Sequence, residues 1–141
     1  MAEKSFRLQV VTPEKVVFDG RVTSLTLPAT DGLMGVLPNH APIVAALAVG
    51  PLIAKDESGK EINFVISDGF FEMANNAARV IADAGEKADD IDLVRAEAAE
   101  KRARDRLSLR VKHGAAVDWA RAEKSLARAA CRVTVGRSYN T

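Results

Sequence analysis

Asp89-Asp90-Ile91-Asp92-Leu93-Val94-Arg95-Ala96 divides this 141-residue chain. Before it, short runs of alternating apolar and polar residues are punctuated by Gly, Pro, Asn and Asp; after it, Ala, Arg, Glu, Lys and Leu dominate. The first pattern predicts strands and turns, the second predicts helix. The pattern of the stretch returns 26 residues later as Val117-Asp118-Trp119-Ala120-Arg121-Ala122. The reading that follows is two domains, residues 1–87 and 88–141, with the stretch opening the second.

Downstream, Asp90 to Val111 contains no Gly or Pro. That predicts a helix of roughly 22 residues, about 33 Å long at the rise of an α-helix. Asp89 or Asp90 can cap it, and Asp92 adds negative charge in the first turn, where the helix dipole favours it. Gly114 is placed to end it as the C′ residue. Val117 to Val133 predicts a second helix, and the short connection makes the two antiparallel neighbours. A shift of 26 aligns Asp92 with Asp118, Arg95 with Arg121, Ala96 with Ala122, Glu97 with Glu123, Arg102 with Arg128, Ala103 with Ala129 and Arg106 with Arg132. The facing stripes are small: Ala96, Ala99, Ala103 and Leu107 on one helix, and Ala122, Leu126, Ala129 and Val133 on the other. A buried Ala contributes under ~1 kcal/mol, against about 1.5–3 for Leu, so this seam is weak and can open cheaply.

A hairpin turning near residue 114 sets residues opposite when their numbers total about 228, a count that follows from antiparallel packing at equal rise. Arg95 then faces the neighbourhood of Val133, and Arg102 faces Leu126. Asp92, Arg95 and Arg102 thereby approach Arg128 and Arg132. Two readings stay open on spacing alone. Guanidiniums and a carboxylate at one end suit a polyphosphate with a base or ribose; equally, these are solvated faces with weak i,i+3 pairs such as Asp92–Arg95.

Upstream, Phe6–Thr12 alternates, and Pro13-Glu14-Lys15 turns. Val16–Phe18, Val22–Leu27, Met34–Leu37, Ile43–Leu47, Pro51–Lys55, Ile62–Ile66, Phe70–Met73 and Ala78–Ala84 follow as short strands, with turns expected at Asp19-Gly20, Asp68-Gly69 and Asn75-Asn76. About ten short strands mean two sheets closing one core. The fold class is therefore a β-sandwich of about ten strands followed by an antiparallel two-helix hairpin.

Composition bounds the function. The chain is 48% hydrophobic and 28% charged, in the range of soluble globular proteins. Its longest apolar runs, such as Ile43–Val49, are far too short for a bilayer span, and Ala2-Glu3-Lys4-Ser5 does not read as a signal peptide. The one cysteine, Cys131, excludes an internal disulfide and suits a reducing compartment. Residues 1–86 carry seven Lys+Arg against eleven Asp+Glu, net −4; residues 87–141 carry thirteen against eight, net +5. An acidic front and a basic back suit different partners.

No Ser-His-Asp set, Cys-x-x-Cys, Walker glycine loop or GxGxxG occurs, so the sandwich offers no catalyst. His40 lies in the densest turn segment, Asp31 to Pro42, with no His, Cys or carboxylate at ligand spacing; a structural or interface role suits it better than metal or base chemistry. A nucleic-acid module using the basic hairpin is the alternative from another class. It is disfavoured because Trp119 is the only aromatic within the two predicted helices and the sandwich would have no task. A small hydrolase is disfavoured by the missing nucleophile and base.

Four motifs in order carry a resemblance: Val10-Val11-Thr12-Pro13-Glu14, Gly35-Val36-Leu37-Pro38-Asn39-His40-Ala41-Pro42, Ser67-Asp68-Gly69-Phe70-Phe71-Glu72 and Ile91 to Ala96. Together the chain resembles the epsilon subunit of F-type ATP synthase over its whole length. The resemblance implies a non-catalytic rotor subunit at the cytoplasmic face of the bacterial plasma membrane, peripheral and touching the membrane only through the c-ring. Its partners would be the gamma subunit, the c-ring and the catalytic alpha/beta subunits, with no nucleic acid. The loop residues Val36, Leu37, Pro38, Asn39 and His40 would meet the c-ring and gamma. The hairpin would inhibit ATP hydrolysis when extended. No cofactor or metal is required, but ATP is a possible regulatory ligand in relatives with an Ile/Leu-Asp-x-x-Arg-Ala motif, matched by Ile91 to Ala96. The nucleotide set carried over is Glu86, Asp92, Arg95, Arg102, Arg128 and Arg132. The chain departs from the family at Asn39 and at Asp68, where Gly is usual.

Overall fold

In a computed structural model, residues 4–113 and 119–139 are described. Seven strands come first: β1 Phe6–Val11, β2 Val16–Ala29, β3 Gly32–Val36, β4 Ile43–Leu47, β5 Gly50–Asp56, β6 Glu61–Ala74 and β7 Ala77–Lys87. A 3-10 turn, Ala88–Asp90, leads to α1 Leu93–His113 and then α2 Trp119–Tyr139. The chain divides into two units, Met1–Lys87 and Ala88–Thr141.

The strand count differs from ten because three strands serve both layers of the sandwich. The first part of β2 pairs β1, and its second part pairs β5 and β3. The start of β6 pairs β5 and the end of β7, and the end of β6 pairs β4 and the start of β7. β1 lies parallel to β7 and closes its layer. Counted within layers there are ten segments; counted as continuous chain there are seven. Asp19-Gly20 is therefore not a turn. It continues the β1 ladder, Gln9 opposite Asp19 and Leu8 opposite Gly20. β2 passes between layers at a bulge: the register against β5 slips at Thr23, whose Oγ1 reaches the Lys55 carbonyl at 3.4 Å.

Asp68-Gly69 is likewise inside a strand. Asp68 takes a left-handed backbone (φ 43°), and Gly69 sits opposite Leu47 on one side and Ala82 on the other. A Cβ at Gly69 would run into the Ile81 carbonyl, with the Ala82 Cα at 2.8 Å. The close approach of β7 excludes any side chain there. Gly69→Ala is expected to destabilise the sandwich by about 1–3 kcal/mol, the usual cost of forcing a methyl into a packed interior. Urea unfolding of the full chain checks this, and an unshifted midpoint refutes it.

Between the layers, alternation decides who is inside. On β1, Phe6, Leu8 and Val10 are buried while Arg7 faces out. Leu25, Leu27, Phe64, Ile66, Phe71, Met73 and Val80 are among the other residues of the interior. Asn75 and Asn76, both left-handed (φ 52° and 59°), form the two-residue turn from β6 to β7, as expected of a primed hairpin turn. The Asp56 carboxylate accepts hydrogen bonds from the Ser58 hydroxyl (2.6 Å), the Ser58 N–H and the Lys60 N–H (both 2.9 Å), which holds its pKa below the usual carboxylate value. Gly59 (φ 88°) completes that turn.

In the second unit the helix starts later than expected. Asp92 is its N-cap: its Oδ1 accepts the Arg95 N–H at 3.1 Å and its carbonyl accepts the Ala96 N–H at 2.9 Å. Asp89 and Asp90 are instead spent in the 3-10 turn, where the Ile91 N–H donates to the Ala88 carbonyl. The small stripes face inward, with Ala96, Ala103, Ala129 and Val133 buried. α2 continues past Val133 to Tyr139, and Gly136 allows close packing there: a Cβ would stand 3.2 Å from Ile91 and 3.4 Å from Leu93. Gly114, expected at C′, and Val117 and Asp118, expected to open α2, lie outside the described residues. So do the side chains of Trp119, Arg121 and Ala122.

Candidate functional site

α1 and α2 bring four arginines to one shallow depression. Arg102 and Arg106 come from α1, Arg128 and Arg132 from α2, and Ala99, Ala103 and Ala129 form its floor. Each helix contributes a pair spaced i,i+4, which puts both guanidiniums on one face. The alanine floor lets the helices approach, so the long side chains rise around a hollow of about 250 Å³. That volume accommodates phosphate groups but lies below the usual ligand-pocket range of about 300–1,000 Å³ for a whole drug-sized molecule. Planar guanidiniums converging on one hollow are the donors that bidentate phosphate recognition requires.

Of the residues expected in a nucleotide set, Arg102, Arg128 and Arg132 line one hollow. Asp92 and Arg95 do not line it. Asp92 is occupied in capping α1, and Arg95 is exposed on the first turn. Glu86 belongs to the other unit, on β7 opposite Val65. Arg106 was not in the expected set, although its alignment with Arg132 and its place four residues after Arg102 were the available signals. Outside the lining of the hollow, Arg137 pairs with Glu97 at 3.2 Å across the two helices, and Arg104 with Glu100 at 3.3 Å along α1. Both pairs are exposed and contribute little stability.

A second surface lies on the sandwich. Leu33, Leu37, Val44, Phe70 and Ile81 are exposed large apolar residues. Ala46, Phe70 and Ile81 form one row across β4, β6 and β7. Of the expected loop residues, Leu37 is 64% exposed and suited to a partner, whereas Val36 is 1% exposed. Val36 belongs to the core because strand alternation turns it inward, and it has nothing to offer an interface. His40 Nδ1 lies 2.7 Å from the Ala41 carbonyl, a bond that assigns the ring proton to Nδ1. The Asn39 N–H donates to the Asn76 side chain, and the His40 N–H to the Leu37 carbonyl.

Among the described residues, no group of His, Cys, Asp and Glu could hold a metal ion, and no helix is long and apolar enough to cross a membrane. Burial pushes the Cys131 thiol pKa up, the opposite of what a nucleophile needs.

The beta-sandwich domain model of the ATP synthase delta/epsilon chain matches residues 5–88, and the long alpha-helix domain model of the same chain matches residues 89–136. The chain belongs to the ATP synthase epsilon chain family. It is 39% identical over 133 residues to the ATP synthase epsilon chain of Syntrophomonas wolfei, covering 94% of this chain and 95% of that one. It is 44% identical over 130 residues to the epsilon chain of Desulforamulus reducens, covering 92% and 96%. The Nitratidesulfovibrio vulgaris epsilon chain is 42% identical over 133 residues, covering 94% and 96%. Among solved structures, a chain in the cryo-EM structure of Euglena gracilis mitochondrial ATP synthase, OSCP/F1/c-ring in rotational state 1, aligns with a TM-score of 0.77. It is 22% identical and covers 92% of this chain and 80% of that one, a likeness of fold. The epsilon family thus accounts for both units, and the role of its members is non-catalytic.

Proposed function

We propose that this chain is the central-stalk subunit of a rotary ATP synthase, joining the gamma subunit and the c-ring through its sandwich and restraining ATP hydrolysis through its hairpin. The observation that carries this reading is the ordered match of both domains, along nearly the whole chain, to epsilon chains. Exposed Leu33, Leu37, Val44 and Phe70 support a docking role, because each presents a large apolar side chain that a partner could cover. The net positive charge of residues 87–141 supports a complementary, acidic face on the alpha/beta subunits. In this reading the subunit is peripheral, at the cytoplasmic face of a bacterial plasma membrane, and reaches the membrane only through the c-ring.

ATP is the regulatory ligand in this reading, and the arginine hollow is where its phosphates bind. The hollow's size supports phosphates alone, leaving the base and ribose to groups beyond it. The nucleic-acid alternative finds little support: residues 93–108 and 123–138 contain no aromatic side chain on which a base could stack.

Affinity purification of the tagged full chain tests the docking role. Gamma and the c-ring are expected to co-purify, and Phe70→Asp is expected to weaken gamma retention by at least about tenfold, as for a central interface residue. Undiminished retention by that variant removes this face from the interface. Absence of gamma with the parent chain defeats the reading as a whole.

A further inference from the structure

We propose that Asn76 is a positioning residue that holds the 37–42 loop in its docking shape. The Asn76 Oδ1 accepts the Asn39 N–H at 2.8 Å, and its Nδ2 donates to the Ser5 carbonyl at 2.9 Å. The same Ser5 carbonyl accepts from Arg21 Nη2 at 3.0 Å, and the Ser5 hydroxyl accepts from Arg21 Nε at 2.9 Å. Three segments distant in sequence therefore meet at one amide: the β6–β7 turn, the residue before β1 and the β3–β4 loop.

The orientation of that amide is determined by its partners. Rotated by half a turn, it would set its NH2 against the Asn39 N–H and its oxygen against the Ser5 carbonyl, two repulsive contacts. Its backbone is held as well, since Asn76 sits left-handed in a two-residue turn. The clamp is rigid before it meets the loop.

The loop needs such a clamp. Pro38 and Pro42 have no N–H to give. The His40 N–H is spent within the loop on Leu37. The bond from Asn39 to Asn76 ties residues 37–42 to another part of the sandwich. It is made at Asn39, the residue with the left-handed backbone (φ 62°) on which the loop reverses. Leu37, exposed two residues earlier, is presented by that reversal. This role rests on the proposed docking of the loop in the ATP synthase complex.

The test compares Asn76→Gly with Asn76→Asp in the full chain. Glycine keeps the left-handed turn and removes the clamp. Aspartate keeps the acceptor for Asn39 and loses the donor to Ser5. Amide exchange at Asn39, read by NMR, is expected to be roughly fivefold to tenfold faster in Asn76→Gly, the scale set by one net hydrogen bond. Rebinding to ATP synthase stripped of this subunit is expected to weaken in Asn76→Gly by about as much. Asn76→Asp sets a carboxylate oxygen against the Ser5 carbonyl, so it is expected to fall between the parent and Asn76→Gly in both readouts, while Asn76→Gly stays folded. Unaltered Asn39 exchange in Asn76→Gly overturns the proposal. So does faster exchange with unweakened rebinding, provided Leu37→Asp rebinds poorly. If Leu37→Asp also rebinds like the parent, the docking of the loop is what fails, and the role of Asn76 in it falls too.

Discussion

A chain ending at Lys87 is expected to fold, to rebind the ATP synthase complex and to release its ATP hydrolysis. Folding follows from where the core lies: every residue of the main apolar cluster is between Phe6 and Ala82, and the hairpin forms a separate unit. Release follows from the restraining role proposed for the hairpin. Its size reads out a population. If the blocking arrangement is occupied half of the time, deletion doubles turnover; if nine-tenths of the time, deletion raises it about tenfold. Steady-state hydrolysis by complexes rebuilt with the full and shortened chains checks it. Equal rates defeat the restraining role for this member, while an unfolded shortened chain defeats the division at Lys87.

Loss of ATP binding is the second large effect expected. Each guanidinium in the hollow offers charge-assisted hydrogen bonds, worth about 1.5–3 kcal/mol each. Arg106→Ala is therefore expected to weaken ATP binding by roughly ten- to hundredfold. Arg106→Ala combined with Arg128→Ala should leave none that titration calorimetry detects. Arg104→Ala, paired with Glu100 away from the hollow, serves as the control and is expected to bind like the parent. The full chain must bind ATP for these variants to be read, and a silent parent chain ends the regulatory-ligand reading. Arg106 decides between sequence and geometry, because the motif does not contain it and the hollow does.

The border near Asp89 was legible because the hydrophobic period changes there. Which aspartate caps α1 was not legible: three stand within four positions, each chemically able. The choice falls to the 3-10 turn, which consumes Asp89 and Asp90 and leaves Asp92 at the helix entrance. Asp19-Gly20 and Asp68-Gly69 carry strong local turn signals, yet long-range pairing overrides them, as tertiary context routinely overrides propensity. Gly69 is there for the approach of β7, which no local rule reveals. In the loop, the run Gly35 to Pro42 marked the right segment but not its sides. Only the register of β3 on β2 turns Val36 inward. The arginine hollow was half legible, since antiparallel arithmetic gathered Arg102, Arg128 and Arg132 but placed Arg95 with them and omitted Arg106.

β2, β6 and β7 each run through both layers, and this bears on how the sandwich carries load. In a sandwich whose layers shared no strand, a force applied to one sheet would reach the other only through packed side chains, which can slide. Here three covalent backbones cross between the sheets. A turning force taken up on one face passes to the opposite face along peptide bonds, and the two sheets cannot shear apart without unzipping a ladder. In the position proposed for it, between a rotating shaft and the ring that drives it, the sandwich gains torsional stiffness from that construction.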